Sequence, residues 1–289
     1  MNQKVVLITG CSSGIGLALA VRLAKDEKKR FMGKAHNRNM KNITMCSMRV
    51  CVPCLCLFSN AGMGMIGPTE CQTIDEMKTI MDTNFFGLVR LLKEILPGMK
   101  KRKCGHIVVI SSVMGIQGIL FNDIYAASKF AVEGFCESLA VQALRFNLNI
   151  SLIEPGPVIT EFESKVYEEG VKIDLSKADK VTADMFTNIY LKNYNQIFQS
   201  LGQTPEDVAE HTFKMITMEN PPFRHHTNSL YTPMTTLKYA DPNGDLPIET
   251  FYKMVFEHDK VFSASLNFLK LLRWRSRKSF TLGKDKNAS

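Results

Sequence analysis

Short apolar runs alternate along this chain with longer stretches in which apolar residues recur every three or four positions. The runs are rich in β-branched residues and predict buried parallel strands at residues 4–10, 106–112 and 150–153, with a shorter apolar stretch at 55–58. The three- and four-residue spacing predicts helices over about 14–30, 74–99, 123–146 and 205–218. The alternation predicts a single-domain, doubly wound α/β fold, in which helices cover both faces of a parallel sheet.

Other residues set the limits of these elements. Pro97 and Gly98 predict the end of the helix over 74–99, and Gln203–Glu206 predicts an N-terminal cap for the helix that follows. The segment 161–203 mixes polar residues with Phe and Tyr, and it follows the carboxyl end of a strand, where parallel sheets bind ligands. We therefore expect it to form a lid over a binding site.

Composition narrows the class of protein. A hydrophobic content of 45% and a charged content of 22% are ordinary for a globular protein and exclude collagen, a coiled coil and general disorder. The longest uncharged apolar run, 50–58, contains Pro53 and is shorter than the roughly 20 residues of a membrane span. The N-terminal residues do not read as a secretory signal, so we expect an intracellular protein that is not secreted.

Charge and cysteine content point to no metal and no nucleic acid. The net charge of +8 is concentrated in basic clusters at 28–30, 100–103 and 273–278, but no basic stripe interleaved with aromatic residues is present. Nucleic acid is therefore not an expected partner. Cys51 and Cys54 have the spacing of half a zinc site, yet no second ligand pair follows them, so we expect incidental thiols and no metal.

A glycine-rich sequence joins the predicted first strand to the predicted first helix. Gly10, Gly14 and Gly16 have the spacing G-x-x-x-G-x-G, a variant of the dinucleotide fingerprint. Glycines at such a turn let the backbone approach a pyrophosphate, which then lies at the positive N-terminus of the helix. The turn therefore predicts a nucleotide-binding site.

A second motif has the residue types of acid–base chemistry. Tyr125 and Lys129 are four residues apart on a predicted helix and so share one face. A lysine ammonium there is expected to lower the pKa of the tyrosine toward the operating pH of the reaction. Ser112 at the end of a predicted strand and Asn84 within a predicted helix complete the candidate set.

These motifs together resemble the short-chain dehydrogenase/reductase family. The resemblance rests on Thr9–Gly16, Asn60–Gly62, Asn84, Ser112, Tyr125, Lys129 and Pro155–Gly156. Four segments have sequences similar to those of one branch of the family, which contains retinol dehydrogenases and type 1 17β-hydroxysteroid dehydrogenases. These segments are Asp82–Gly87, His106–Gly118, Phe121–Lys129 and Glu154–Val158.

The resemblance implies a role for each matching residue. Tyr125 would exchange a proton with the substrate oxygen, Ser112 would hydrogen-bond that oxygen, and Lys129 would bind the nicotinamide ribose. Asn84 would hold a water that relays protons to Lys129. Ser112, Met114 and Tyr125 would contact the substrate. The cofactor would contact Gly10, Ser12, Ser13, Gly14, Ile15, Gly16, Asn60, Ala61, Gly62, Tyr125, Lys129, Pro155, Gly156, Val158 and Thr160.

The expected activity is the NADP-dependent interconversion of all-trans-retinal and all-trans-retinol, or of a 17-keto and a 17β-hydroxysteroid, with NAD as the alternative cofactor. Residues 1–258 would form the Rossmann-like dinucleotide-binding domain with its lid at 161–203. The expected partners are an apolar small molecule and a second copy of the chain in a homodimer.

The chain departs from the family between Gly16 and Asn60. One helix, two further strand–helix units and a fourth strand would take roughly 65 residues there at ordinary element and loop lengths, and about 25 of them are missing. Residues 31–58 contain no helix of adequate length. We expect one or two strand–helix units to be absent, which leaves the first strand near an unprotected edge. The alternative function is therefore a catalytically silent or poorly folded variant.

Residues 259–289 read as a basic amphipathic tail. Val261–Lys278 places apolar residues such as Leu266 and Trp274 on a helix whose end is strongly basic, the composition of helices that lie in a membrane interface. A helix docked on the protein's own core is the alternative. The expected location is the cytosol or the cytoplasmic face of a membrane, bound peripherally.

Overall fold

The computed structural model describes residues 4–26, 31–35 and 55–258, with helical positions 260–261, 264–268 and 270. Several expectations concern residues outside this range: the basic cluster at 28–30, the Cys51/Cys54 pair, the absence of strand–helix units as far as it concerns 36–54, and the tail beyond residue 270.

The described strands form one parallel sheet. They are β1 (Lys4–Ile8), β2 (Phe31–Ala35), β3 (Leu55–Ser59), β4 (Gly105–Ile110), β5 (Leu148–Glu154) and β6 (Arg224–His226). Their order across the sheet is β2-β1-β3-β4-β5-β6, and every pairing is parallel. All six residues of β4 are buried, as expected for a strand at the centre of a sheet covered on both faces. The doubly wound α/β prediction is confirmed.

Strand β2 is not among the strands that the sequence predicted. Its residues pair in register with β1, Lys4 opposite Phe31 and Ile8 opposite Ala35. The sequence hides this strand because Gly33 and Lys34 belong to residue types that strands disfavour. The backbone hydrogen bonds with β1 stabilise the strand although its side chains have a low strand propensity. In the described part of the sheet β1 is therefore an inner strand, and β2 forms the edge.

Helices pack on the two faces of the sheet. They are α1 (Gly14–Ala24), α2 (Ile74–Met81), α3 (Gly87–Arg102), α4 (Asp123–Leu144), α5 (Glu161–Val171), α6 (Lys180–Asp184), α7 (Lys192–Leu201), α8 (Pro205–Thr217), α9 (Thr232–Ala240) and α10 (Asp245–Tyr252). On one face α1 and α8 bury Leu19 and Phe213 against Val6 and Phe58. On the other, α3 and α4 pack against the neighbouring residues Leu7 and Leu57. The alternation of side chains along each strand thus builds two cores from one sheet.

The long helical pattern after residue 74 ends later than the sequence predicted. A π-helical segment, Asp82–Phe86, joins α2 to α3, and α3 continues through Pro97 and Gly98 to Arg102. Pro97 removes one backbone donor from the helix, but the completely buried Met99 holds the last turn on the core. The helix stops at Lys103, which has a left-handed φ of 50°.

The segment 161–203 leaves the sheet and returns to the point where it left. It contains α5, α6, a second π-helical segment (Met185–Leu191) and α7. The backbone N–H of Gln203 donates to Pro157 O at 2.8 Å, and that of Ile159 donates to Gln203 O at 2.9 Å. These two bonds close the base of the segment. As predicted, α8 then begins with a cap, because Thr204 and Asp207 form a reciprocal capping box.

The helical residues near the C-terminus pack on α7. Leu266 is buried, Lys270 Nζ donates to Gln199 Oε1 at 2.7 Å, and Gln196 Nε2 donates to Asn267 Oδ1 at 3.1 Å. For residues 264–268 and 270 the structure therefore supports docking on the protein's own core. Of the helices that the structure describes, none is both long and apolar enough to cross a bilayer.

Candidate active site

A cleft of about 1830 Å³ opens at the carboxyl ends of β1, β3, β4 and β5. It exceeds the roughly 300–1,000 Å³ of an ordinary small-molecule pocket, which leaves room for a cofactor and a large substrate. Of the site residues predicted from the sequence, only Gly16 and Asn84 do not line it. The fold thus gathers residues from five separate stretches of the chain.

The glycine-rich turn has the conformation and the space that a dinucleotide needs. Gly10 and Gly14 have left-handed φ angles of 63° and 57°, which glycine adopts without strain. A Cβ atom on Gly16 would lie 2.4 Å from Gly10 O, so this glycine lets the start of α1 pack against the turn. Gly16 therefore shapes the cradle from behind.

The N-terminus of α1 is available to an anion. Ser13 is its N-cap residue, but the Ser13 side chain makes no capping bond to the first turn. The backbone N–H groups there and the helix dipole suit a phosphate. The residues present therefore fit a dinucleotide cofactor.

Asn60 fastens the glycine-rich turn to the end of β3. Asn60 Nδ2 donates to Gly10 O at 3.0 Å and to Thr9 O at 3.2 Å. Thr9 Oγ1 in turn accepts from the backbone N–H groups of Asn60 at 3.0 Å and Ala61 at 3.2 Å. The family resemblance placed Asn60 and Ala61 beside the cofactor; the structure adds that both hold the turn in place.

Ser112, Tyr125 and Lys129 converge at the end of β4. Ser112 follows the strand, its Oγ accepts from Met114 N at 3.1 Å, and it also hydrogen-bonds Tyr125. Lys129 Nζ donates to Ile110 O at 3.0 Å and lies 5.7 Å from the centroid of the Tyr125 ring. One turn of α4 separates Tyr125 from Lys129, as the spacing predicted.

The pKa of Tyr125 moves in the direction opposite to the expectation from sequence. Burial raises it and the Glu163 carboxylate raises it further, while the hydrogen bond with Ser112 lowers it. Burial also lowers the pKa of Lys129 to about 8, opposed by Glu133. Burial of the phenol and the Glu163 charge thus outweigh the hydrogen bond that lowers the pKa of Tyr125. At neutral pH Tyr125 holds its proton, the state of a general acid.

Asn84 lies behind the cleft. It belongs to the π-helical segment Asp82–Phe86, and such segments often occur at functional sites. Its Oδ1 accepts from Met63 N at 2.8 Å, and its Nδ2 donates to Met63 O at 2.8 Å and to Ser128 Oγ at 2.9 Å. The side-chain amide therefore anchors the loop after β3 to α4, between Tyr125 and Lys129.

Sequence reasoning missed two parts of the cleft. One is Glu163 on α5, which lines the cleft beside the aromatic residues of 161–203. Helical spacing puts it on the face of Val166 and Gly170, both buried, and that was the available signal. The other part is the wall formed by Tyr231, α9 and α10, which no motif marks.

Comparisons with known proteins agree with this geometry. The family model described as short chain dehydrogenase matches residues 40–170. Human retinol dehydrogenase 8 is 45% identical over 294 residues, which cover 92% of this chain and 94% of that protein. Human 17-beta-hydroxysteroid dehydrogenase type 1 is 37% identical over 287 residues, covering 89% of this chain and 87% of that protein.

The chain belongs to the short-chain dehydrogenase family. It is therefore an NAD(P)-dependent oxidoreductase that acts on a CH–OH group or the corresponding carbonyl. A solved short-chain dehydrogenase from Burkholderia phymatum, in complex with NAD, has the same fold at a TM-score of 0.64. It is 21% identical, and the match covers 83% of this chain and 94% of that one. The alignment with the human retinol dehydrogenase spans 294 positions, more than the 289 residues of this chain, so it opens gaps in this chain.

Proposed function

We propose that this short-chain dehydrogenase reduces the carbonyl group of a large apolar substrate with NADPH, and that the substrate is all-trans-retinal or a 17-ketosteroid. The observation that carries the proposal is the convergence of Ser112, Tyr125 and Lys129 in a large cleft with predominantly apolar walls.

The chemistry divides among three side chains. The Tyr125 hydroxyl gives its proton to the substrate oxygen, and Ser112 hydrogen-bonds the same oxygen and orients it. Lys129 holds the nicotinamide ribose and places a positive charge beside the ring of Tyr125, which stabilises the phenolate formed after proton transfer. NADPH, when bound, supplies the hydride. Asn84 supports this group from behind and is assigned the water that relays protons to Lys129.

The choice of substrate is supported by the walls of the cleft and by the names of the relatives. Aromatic and aliphatic side chains from the lid and from α9 and α10 line the cleft: Phe162, Val166, Tyr190, Ile197, Phe198, Met234, Leu237 and Phe251. Burying a long hydrocarbon against such walls contributes roughly 25 cal/mol per Å². Retinal and flat steroid ketones both provide that surface.

The proposal also includes the cofactor, the location of the protein in the cell and its oligomeric state. We assign NADP, with NAD as the alternative, to the cradle formed by the glycine-rich turn, residues 60–62 and residues 155–160. An apolar substrate partitions into membranes, so a peripheral location on a cytoplasmic membrane face suits the activity. Residues 1–258 act as the catalytic domain with the lid at 161–203, and two copies associate as a homodimer.

Competition between the two substrates tests the function. Purified protein with NADPH receives all-trans-retinal, a 17-ketosteroid and a short polar ketone at equal concentration, and all three products are measured. A parallel titration compares NADPH with NADH by fluorescence. We expect turnover of one or both substrates and tighter binding of NADPH. Preference for a short polar ketone would exclude both substrates. Cofactor binding without any turnover would favour the silent variant.

A further inference from the structure

Glu163 is a carboxylate placed inside an otherwise apolar lid. It is the third residue of α5, in the first turn, and its helix buries Val166 and Gly170 on the same face. The side chain is half-buried and lines the cleft. Its Oε2 accepts a hydrogen bond of 2.8 Å from the hydroxyl of Tyr194 on α7. This bond fixes the carboxylate between two elements of the lid.

Three tyrosines from three elements surround this carboxylate. Tyr125 comes from α4, Tyr190 from the second π-helical segment and Tyr194 from α7. The ring of Phe162, next to Glu163 in the chain, lies 6.3 Å from the ring of Tyr125. The rings of Tyr190 and Tyr194 are 5.8 Å apart. The three tyrosines and Glu163 therefore line the same cleft.

Electrostatics couple Glu163 to each of these tyrosines. Burial raises its pKa to about 7, although the Tyr194 hydrogen bond lowers it, so the carboxyl group changes charge near neutral pH. When ionised, it raises the pKa of Tyr125 and of the two lid tyrosines. The other charged groups around this cluster are Asp123, beside Tyr190, and Lys129, beside the ring of Tyr125.

We propose that the ionisation of Glu163 controls proton exchange at Tyr125, which makes Glu163 a positioning residue of the reaction. This inference rests on the proposed function. In reduction, the O–H bond of Tyr125 breaks, the proton binds the substrate oxygen, and the carbonyl carbon accepts the hydride that NADPH supplies as the cofactor is oxidised. The phenolate then regains a proton from water. In oxidation Tyr125 must first lose its proton, which a neighbouring negative charge opposes.

A purely structural role for Glu163 makes a different prediction. An acidic residue in the first turn stabilises a helix through its dipole at any pH at which it is charged. Glu161 occupies the same turn, is exposed, and is not among the groups that shift the pKa of Tyr125, so Glu161→Gln removes a second helix-terminal charge as a control. Glu163→Gln keeps the shape of the side chain and removes its charge. Glu163→Asp keeps the charge.

The experiment compares kcat/KM for oxidation by the full-length protein and the three variants between pH 6 and 9, with NADP+ and the alcohol form of the better substrate. At pH 6, where Glu163 is neutral, we expect the same kcat/KM for Glu163→Gln and the unchanged protein. Above pH 7 we expect kcat/KM of the variant to be higher by up to about tenfold, the change that corresponds to a decrease of one unit in the pKa of Tyr125. Glu163→Asp, which keeps the charge, should have the same kcat/KM as the unchanged protein at alkaline pH. Glu161→Gln should have the same pH profile of kcat/KM as the unchanged protein. If the ratio of kcat/KM for Glu163→Gln to that for the unchanged protein stays constant with pH, the proposal is overturned.

Infrared titration of the protein without substrate provides a second measurement. Burial raises the pKa of both Glu163 and Glu133 to about 7, so the protonated carboxyl band that disappears near pH 7 should lose intensity in Glu163→Gln and keep the part that Glu133 supplies. A band of equal intensity in the unchanged protein and in Glu163→Gln would also overturn the proposal. If the band is present but the unchanged protein turns over neither substrate, the proposed function fails and the control of proton exchange fails with it. Equal pH profiles in an active protein would overturn the role of Glu163 alone.

Discussion

Asn84 Nδ2 donates a hydrogen bond of 2.9 Å to Ser128 Oγ, and Ser128 stands between Tyr125 and Lys129 on α4. The same side-chain amide makes two further hydrogen bonds of 2.8 Å with the backbone of Met63: its Oδ1 accepts from Met63 N and its Nδ2 donates to Met63 O. Both Asn84 and Ser128 are buried. The loop that flanks the cofactor cradle and the helix that carries the acid–base pair are therefore joined through one side chain.

Replacing Asn84 with Ala should lower the stability of the fold. The change leaves the N–H and C=O of Met63 and the hydroxyl of Ser128 without their buried partner, at a cost of about 2–4 kcal/mol in the free energy of unfolding. Urea unfolding followed by circular dichroism measures this cost. Asn220→Ala, at an exposed position, serves as the control. A variant as stable as this control would show that the amide is not an anchor.

Tyr125→Phe should abolish turnover while leaving cofactor affinity nearly unchanged. The ring remains, but the hydroxyl that gives the proton is lost, and positioned acid–base groups typically contribute 10²–10⁴-fold. Steady-state kinetics together with NADPH fluorescence titration separate the two effects. Tyr252→Phe, exposed on α10, should behave as the unchanged protein. Activity of the Tyr125 variant within about tenfold of the unchanged protein would remove Tyr125 from the mechanism.

Arg224→Met should destabilise the fold strongly. Arg224 NH1 lies 2.8 Å from Glu154 Oε1 and also contacts Glu133, and both carboxylates are buried. Removing the guanidinium takes the arginine partner from two buried acidic groups and leaves Glu154 only His226, 2.7 Å away, which costs about 3–5 kcal/mol. Chemical denaturation of this variant and of Arg145→Met, at an exposed position, checks the magnitude. Equal midpoints for the two variants would contradict the assignment.

Stability should fall as pH rises through the range in which Glu163 titrates. Its pKa is about 7 in the folded chain and 4.5 for the unperturbed group, so the folded state holds the extra proton between these values. The contribution is complete below pH 4.5 and is lost by about pH 7, an effect of about 2 kcal/mol after allowance for partial exposure. Unfolding at a series of pH values should show a shallower decline for Glu163→Gln. Parallel curves would place the titration elsewhere.

Removing residues 271–289 should weaken binding to anionic vesicles. This truncation keeps Leu266 and Lys270, which hold the preceding helical residues on α7, and deletes the basic cluster at 273–278. Attraction between that cluster and acidic lipids is electrostatic and is screened by salt. Vesicle sedimentation at low and high salt, with neutral vesicles as the control, measures it. Equal binding by the full chain and the truncated chain would assign the attraction to another surface.

The sequence alone predicted strands β1, β3, β4 and β5, the helices between them, and the glycine-rich turn and acid–base residues that line the cleft. This worked for features that are local in the chain: the strand–glycine–helix turn at 10–16, the four-residue spacing of Tyr125 and Lys129, and the capping residues before α8. Here backbone conformation depends on neighbouring residues, so the pattern is visible without a fold. The local signal was misleading at Pro97, which predicted the end of the helix. The helix continues because burial of Met99 outweighs the low helix propensity of proline.

Tertiary structure decided the rest. Strand β2 exists because β1 pairs with it, and Gly33 and Lys34 give no sign of that pairing. The pKa of Tyr125 depends on burial and on Glu163, which is 38 positions away in the chain and belongs to another element. Asn84 acts as an anchor only because Met63 and Ser128 meet it in space. Sequence determines which groups are present, whereas their energies depend on solvent exclusion and on distances between residues remote in the chain, which only the folded structure sets.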